Sequence, residues 1–290
     1  MSFPKEDNKR RFYLDILKII KQAKRENIKI SLAKKDEDYR LGFSLIYEMY
    51  YNRKLITTSF EDFLKKNLTK LYNYPNKIMI LVKRNKKVTA TATLLIDNGP
   101  LYSLPCEFLY KNEVQYLRKN NKRITEVVRL ASIDNLESLF RLFRFLYKSA
   151  FRLNCSDILC TITKKHFYFY KRFFFFENIS KKVSFYDHVC FAPVKVILAK
   201  LDIFSARFKC FEKFPMEYYN FFFEDKFPED NLFDSDIFHE IIHKQKNIFS
   251  SYPANISPYW SSQDFYPPCV FQASNREYLS IAKPRRASLM

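Results

Sequence analysis

Ile124-Thr125-Glu126-Val127-Val128-Arg129-Leu130-Ala131-Ser132 is the stretch that decides how this chain is read. Apolar and β-branched residues around one Glu and one Arg predict a half-buried strand. A short connection, Ile133-Asp134-Asn135, and a long amphipathic stretch from Leu136 to Leu153 follow it. A strand that ends at a helix N-terminus suits an anionic or polar ligand, because the first helical N–H groups have no internal partner. Glu126 and Arg129 are therefore the candidate chemical centre.

Upstream, two strands over 77–84 and 87–97 flank a polar Asn85-Lys86 turn. In the second, Val88, Ala90, Ala92, Leu94 and Ile96 should face one side, and Thr89, Thr91 and Thr93 the other. Helices are predicted over 5–27, 39–51, 60–72 and 107–120, with a short strand at 28–33. Downstream come a strand at 157–163, a short helix at 164–173 and two closing strands at 183–191 and 193–202. This order predicts an α/β (α+β) fold, a mixed central sheet flanked by helices on both faces. From Phe204 onward, prolines, Ser/Asn clusters and aromatics predict an irregular C-terminal extension with short helices near 216–223 and 234–248. The expected organisation is an N-terminal helix (1–27), one domain (28–203) and the extension (204–290).

Composition narrows the chemistry. With two Gly among 290 residues, Gly42 and Gly99, Gly-rich phosphate loops are excluded. Six cysteines occur singly with no CxxC pair. Met1–Arg11 is charged and no apolar leader core follows, so a cytoplasmic protein with reduced thiols is expected. The net charge of +19 favours an acidic partner: a protein, an anionic membrane face or nucleic acid.

Four stretches together resemble the GNAT acyltransferase superfamily, and within it the bacterial N-acyl amino acid synthases, relatives of acyl-homoserine lactone synthases. Tyr39-Arg40-Leu41 to Tyr47-Glu48-Met49-Tyr50 is similar to that family's first helix, and Glu126–Ala131 to its central strand. Leu139-Phe140 to Tyr147-Lys148-Ser149-Ala150 resembles the helix after it, and His166–Phe175 the superfamily's later helix and turn. Two departures stand out: Phe174 replaces the turn Gly, and Asp134–Ser138 lacks the glycines of the pyrophosphate loop. The second fits a donor held by its pantetheine arm and a carrier protein. The resemblance thus implies a GNAT-like sheet and transfer of a medium or long acyl chain. The donor would be acyl-carrier protein or acyl-CoA, and the acceptor the amine of an amino acid or similar small molecule. No tightly bound cofactor or metal is expected.

N-acylation needs the amine deprotonated, the thioester carbonyl polarised and the thiol reprotonated. Glu126 on an apolar strand would gain proton affinity by desolvation, which suits a base working near neutral pH. Arg129 could hold a carboxylate as a bidentate fork. The resemblance implies Tyr170 as the proton donor, and Arg40, Tyr47, Leu130 and Ser132 beside Arg129 as substrate contacts. Arg141, Arg144, Lys148 and Arg152 recur at helical spacing within roughly 80°, a single-signed stripe expected to dock an acidic carrier protein.

Three other readings compete. A GNAT-type N-acetyltransferase using acetyl-CoA would share the fold. His239-Glu240-Ile241-Ile242-His243 matches the H-E-x-x-H zinc-protease pattern, although Lys244 and the Pro-broken surroundings argue against it. Aromatics interleaved with Lys and Arg, as in His166–Phe176, could stack on bases; without a recognised motif, nucleic acid is not the expected partner.

Overall fold

The computed structural model describes residues 6–25, 27–99, 102–133, 136–186 and 194–241. The elements run α1 (Glu6–Arg25), β1 (Ile28–Leu32), α2 (Asp36–Asn52), α3 (Phe60–Tyr72), β2 (Lys77–Arg84), β3 (Lys87–Ile96), α4 (Glu107–Lys119) and β4 (Ile124–Ser132). They continue with α5 (Leu136–Arg152), β5 (Asp157–Thr163), α6 (Phe167–Phe174), β6 (Glu177–Asn178), β7 (Ser184–Tyr186), β8 (Val194–Asp202), α7 (Ile203–Lys213) and α8 (Met216–Tyr219). A π-helical turn (Asn220–Glu224) and a 3-10 turn (Pro228–Asp234) follow. No helix among the described residues is long and apolar enough to cross a membrane.

One sheet in the order β1-β2-β3-β4-β5-β8-β6, with β7 also on β8, divides the molecule into two layers. On one face, α1, α5, α6, α7 and α8 share the main core. The other is covered by α2 and α3 over β2 and β3, and by α4 over β4, β5 and β8. Local signals account for several boundaries. Ser59 caps α3 by accepting the Asp62 N–H at 3.2 Å, and Asp38 accepts the Lys34 N–H before α2 at 3.1 Å. Gly42 sits where α2 presses on β2: a Cβ there would lie 2.3 Å from the Met79 methyl. The turn after α6 is built without Gly. Phe175 takes the left-handed position itself (φ 60°), and its ring packs 5.3 Å from Phe214.

Two bulges correct the simple alternation. At the first, Val82 pairs with Ala90 but Lys83 with Val88, so Thr89 is the extra residue. Val88 therefore packs with the α2 layer rather than with Ala90 and Ala92, and the Thr89 hydroxyl meets Ser138 of α5 at 2.9 Å. At the second, Thr93 pairs with Val128 but Thr91 with Ala131. Arg129 and Leu130 occupy the span that Ala92 fills alone, and Arg129 adopts φ 53°.

The largest departure concerns α5. Its basic stripe is not a surface, because residues 220–234 lie over it. Arg144 is 0% exposed; it grips Asp230 with both terminal nitrogens (2.9 and 2.7 Å) and donates from Nε to the Phe221 carbonyl (2.9 Å). Arg141 donates to Glu229 (2.7 Å) and to the Ala23 carbonyl of α1 (3.1 Å). Lys148 reaches Asp230 and the Asp225 carbonyl, both at 3.0 Å. The Phe227 ring lies against both guanidinium groups, 4.1 Å from Arg141 and 4.2 Å from Arg144. Arg152 stays exposed, its guanidinium 5.9 Å from the Phe233 ring. The expected carrier-docking role of Arg141, Arg144 and Lys148 is therefore corrected: these cations hold the C-terminal segment to the core.

Removing one member of a buried ion pair strands the other. Arg144→Ala should cost about 3–5 kcal/mol in urea unfolding. Arg40→Ala, which breaks a surface pair with Glu61, should cost less than about 1 kcal/mol. Equal costs would mean the C-terminal segment contributes nothing through these ions.

Candidate active site

The parallel pairing of β4 with β5 lasts three rungs, Ile124 with Asp157, Thr125 with Ile158 and Glu126 with Leu159. Beyond Glu126 no strand among the described residues pairs with β4 on that side, while β3 still pairs on the other. The two strands part, and Glu126 stands at the apex. The sequence centred on this strand and this residue, and the structure places both in the middle of the sheet.

Glu126 is 2% exposed. Its Oε2 accepts the Cys106 N–H at 3.1 Å, where the loop before α4 crosses the strand. Burial pushes its pKa up to about 8; the N–H and thiol of Cys106 pull it down, and Glu107 and Asp97 push it up. The thiol of Cys106 is itself raised well above the usual range, first by burial and then by the Glu126 charge. Arg118 answers the other two acids. It donates to Asp97 from Nε (2.8 Å) and Nη2 (2.7 Å), and to Glu107 from Nη1 (2.8 Å). Burial opposes the Arg118 charge, but Asp97 and Glu107 hold its pKa above the ordinary value. Composition and spacing held no signal for this cluster, because Asp97, Cys106, Glu107 and Arg118 meet only in the fold.

The bulge brings Arg129 to the same layer as Glu126. Period-two alternation would put residues 126 and 129 on opposite faces. Instead Val127 and Leu130 both enter the α5 core, and Arg129 turns toward α2 and α3. Its guanidinium lies 4.9 Å from the Phe43 ring, and Nη2 donates to the Asn67 carbonyl at 3.3 Å. Leu130 is corrected as a side-chain substrate contact, since its side chain fills the core on the far face. The Ser132 hydroxyl is buried and has no hydrogen-bond partner among the described residues. Its pairing with Ala90 puts it on the α5 face with Leu130, at the end of β4 next to the start of α5.

Arg40 and Tyr47 lie on α2, facing α3. Arg40 pairs with Glu61 and sits 5.2 Å from the Phe60 ring. The Tyr47 hydroxyl donates to the Thr58 carbonyl at 3.0 Å, and its ring packs on Tyr51, Phe60 and Phe63. Both tie α2 to α3.

On the β5 side, Tyr170 is buried among Phe143, Phe169 and Phe176. Arg53, at the end of α2, is within its electrostatic reach; burial lowers the Arg53 pKa, and Tyr50 and Tyr170 oppose that. His166 bonds Thr163 through Nδ1 at 2.8 Å, and burial drops its pKa to about 3, so it is neutral at pH 7. Phe169, Phe173, Phe174 and Phe176 are core residues, not a platform for bases. His239 and Glu240 are exposed, and His243 lies outside the described residues.

A family model described as N-acyl amino acid synthase FeeM matches residues 42–201, more than half of the chain. The solved structure of FeeM, an N-acyl amino acid synthase from uncultured soil microbes, superposes with a TM-score of 0.54 at 15% identity. The match covers 66% of this chain and 96% of that one. An N-acetyltransferase from Staphylococcus aureus Mu50 matches at 16% identity and TM-score 0.43, over 61% of this chain and 99% of its own. A putative acetyltransferase from Salmonella typhimurium, solved with acetyl-CoA, matches at 13% identity and TM-score 0.41, over 61% and 94%. No curated protein matches by sequence. The chain belongs to the FeeM family of N-acyl amino acid synthases, and it is an N-acyltransferase. Helices α1, α7 and α8 lie outside the family match.

The raised pKa of Glu126 has a consequence for stability. The folded protein holds this proton to about pH 8, whereas an ordinary Glu releases it near 4.5. The resulting stabilisation is fully present below pH 4.5 and is lost as pH rises through 8. Glu126→Gln should therefore be more stable than the wild type at pH 8, on the order of 3 kcal/mol, with the gain vanishing in acid. Unfolding curves from pH 4 to about 8.5 check this; a gain independent of pH would show that the carboxyl is not protonated by burial.

Proposed function

We propose that this N-acyltransferase moves a medium or long acyl chain from a thioester donor, carrier protein or CoA, to the amine of an amino acid or similar small molecule. Glu126 carries the reading: it is a buried carboxylate at the apex of the strand opening, with a pKa near 8. In the step assigned to it, the amine nitrogen attacks the thioester carbonyl, a C–N bond forms and the C–S bond breaks. The amine proton passes to Glu126, directly or through a water, and the departing thiolate takes a proton from Tyr170. Arg129 is the candidate for an acceptor carboxylate, and Ser132 for a polar group of either substrate.

The identity of the donor rests on the family and on the chain's charge. A carrier protein is acidic where this chain is basic, and the connection before α5 lacks phosphate-loop glycines. With the α5 stripe covered, Arg152 is the one member still exposed. The void lined by Phe143, Phe174, Tyr218 and Phe222 is about 20 Å³, space for one water. An acyl chain would enter along the β4–β5 opening or displace rings. The buried cysteines Cys106, Cys155, Cys160 and Cys210, none of them in a disulfide, accord with a reducing, cytoplasmic setting.

Mass spectrometry of lipid extracts from cells expressing wild type or Glu126→Gln tests the reading. N-acyl amino acids should accompany the wild type and fall by about 10²–10⁴ in turnover in the variant. With purified protein, kcat/KM should rise with pH, pass half its plateau near pH 8 and level off above it, and this limb should be absent from Glu126→Gln. An unchanged product level in the variant would remove Glu126 from the mechanism.

A further inference from the structure

Helix α7 presents an aromatic stripe outward. Phe204, Phe208 and Phe211 recur at helical spacing within an arc of roughly 60°, and they are 56%, 70% and 58% exposed. Phe151, at the end of α5, is half-exposed and packs 6.3 Å from Phe204, which lengthens the stripe. The opposite side of α7, with Ile203, Ala206 and Cys210, is buried in the core. Asp202 caps the helix by accepting the Ser205 N–H at 2.8 Å. The rings are therefore held at the surface by a fixed element. With Phe151 these rings make one continuous apolar strip on the surface.

We propose that this stripe seats the protein on an anionic lipid bilayer, with the α7 rings at the boundary between headgroups and acyl chains. Two observations favour a bilayer over a second copy. A helix of eleven residues offers a patch about 17 Å long and about 10 Å wide, far short of the roughly 800 Å² per partner of a stable protein interface. The whole chain also carries +19, which repels another copy and draws the molecule to an anionic surface. Immediate flanking charges are balanced: Arg207 pairs with Glu224 and Lys209 with Glu177. Attraction thus comes from the molecule's overall excess, and seating from the rings.

The test is flotation of the full chain with vesicles of phosphatidylcholine alone and of phosphatidylcholine mixed with phosphatidylglycerol. The wild type should bind the mixed vesicles and bind the neutral ones more weakly. The triple variant Phe204→Ser, Phe208→Ser, Phe211→Ser should lose about tenfold or more in partition while keeping its circular dichroism spectrum. Tyr116→Ser, which removes another exposed ring, should bind as the wild type does. If the triple variant fails to fold, Phe208→Ser alone should show a smaller loss in the same direction. Equal binding by wild type and a folded ring variant would overturn the proposal. So would absence of binding to mixed vesicles, or a wild-type dimer in ultracentrifugation that the ring variant loses. Vesicle binding is read without substrate, so its failure leaves the acyl-transfer reading untouched.

Discussion

The early end of the β4–β5 pairing is the constraint from which the site follows. Parallel strands held to full length would bury the backbone of both in hydrogen bonds and leave no room between them. Here β4 keeps its partner β3 while leaving β5 after Glu126. The bulge at Arg129 then turns that residue toward α2 and α3. Left-handed backbone at a non-Gly residue costs about 1–2 kcal/mol. The alternative is worse, because regular alternation would aim the guanidinium into the apolar α5 layer, where an unpaired charge costs far more. The Phe43 face and the Asn67 carbonyl receive it instead.

The C-terminal segment shows how a charged helix face can be interior. Desolvating Arg141 and Arg144 is expensive, and single ion pairs seldom offset that cost. This segment meets it with several acceptors at once: two carboxylates, the Phe221 carbonyl of the π-helical turn, the Asp225 carbonyl just after it and a shared aromatic ring. The same arrangement fixes what remains outside. With residues 220–234 over α5, the exposed aromatic side chains of α7 form one continuous strip on this layer.

Much of the fold was legible from local signals. Ser59 marked the start of α3, Asn85-Lys86 the hairpin, and the apolar run around Glu126 the central strand. Period-two reading failed at Val88 and Thr89, and the bulge at Arg129 was not foreseen, since a bulge leaves no mark in a run of β-branched and polar residues. Helical spacing grouped Arg141, Arg144 and Lys148 correctly on one face. It could not say that the covering layer comes from Glu229 and Asp230, more than eighty residues later. Glu126 could be singled out as a lone carboxylate among apolar neighbours. Cys106, Asp97, Glu107 and Arg118 were invisible as a group, because each is ordinary in its own segment and only the fold brings them together.

That cluster explains why the carboxylate is poised. Were Arg118 free to pair with Glu126, the acid would be held ionised and would make a weak base. Asp97 and Glu107 engage the guanidinium first and add their own negative field. Glu126 is left with one N–H and a thiol, too little to offset its burial. The site therefore holds its carboxyl close to the point where proton uptake and release are balanced at neutral pH. The cost is borne by the folded state as pH rises. A neutral amide in the same place would relieve it, and would be unable to take a proton from an attacking amine. In the proposed reaction, stability and function pull this one residue in opposite directions.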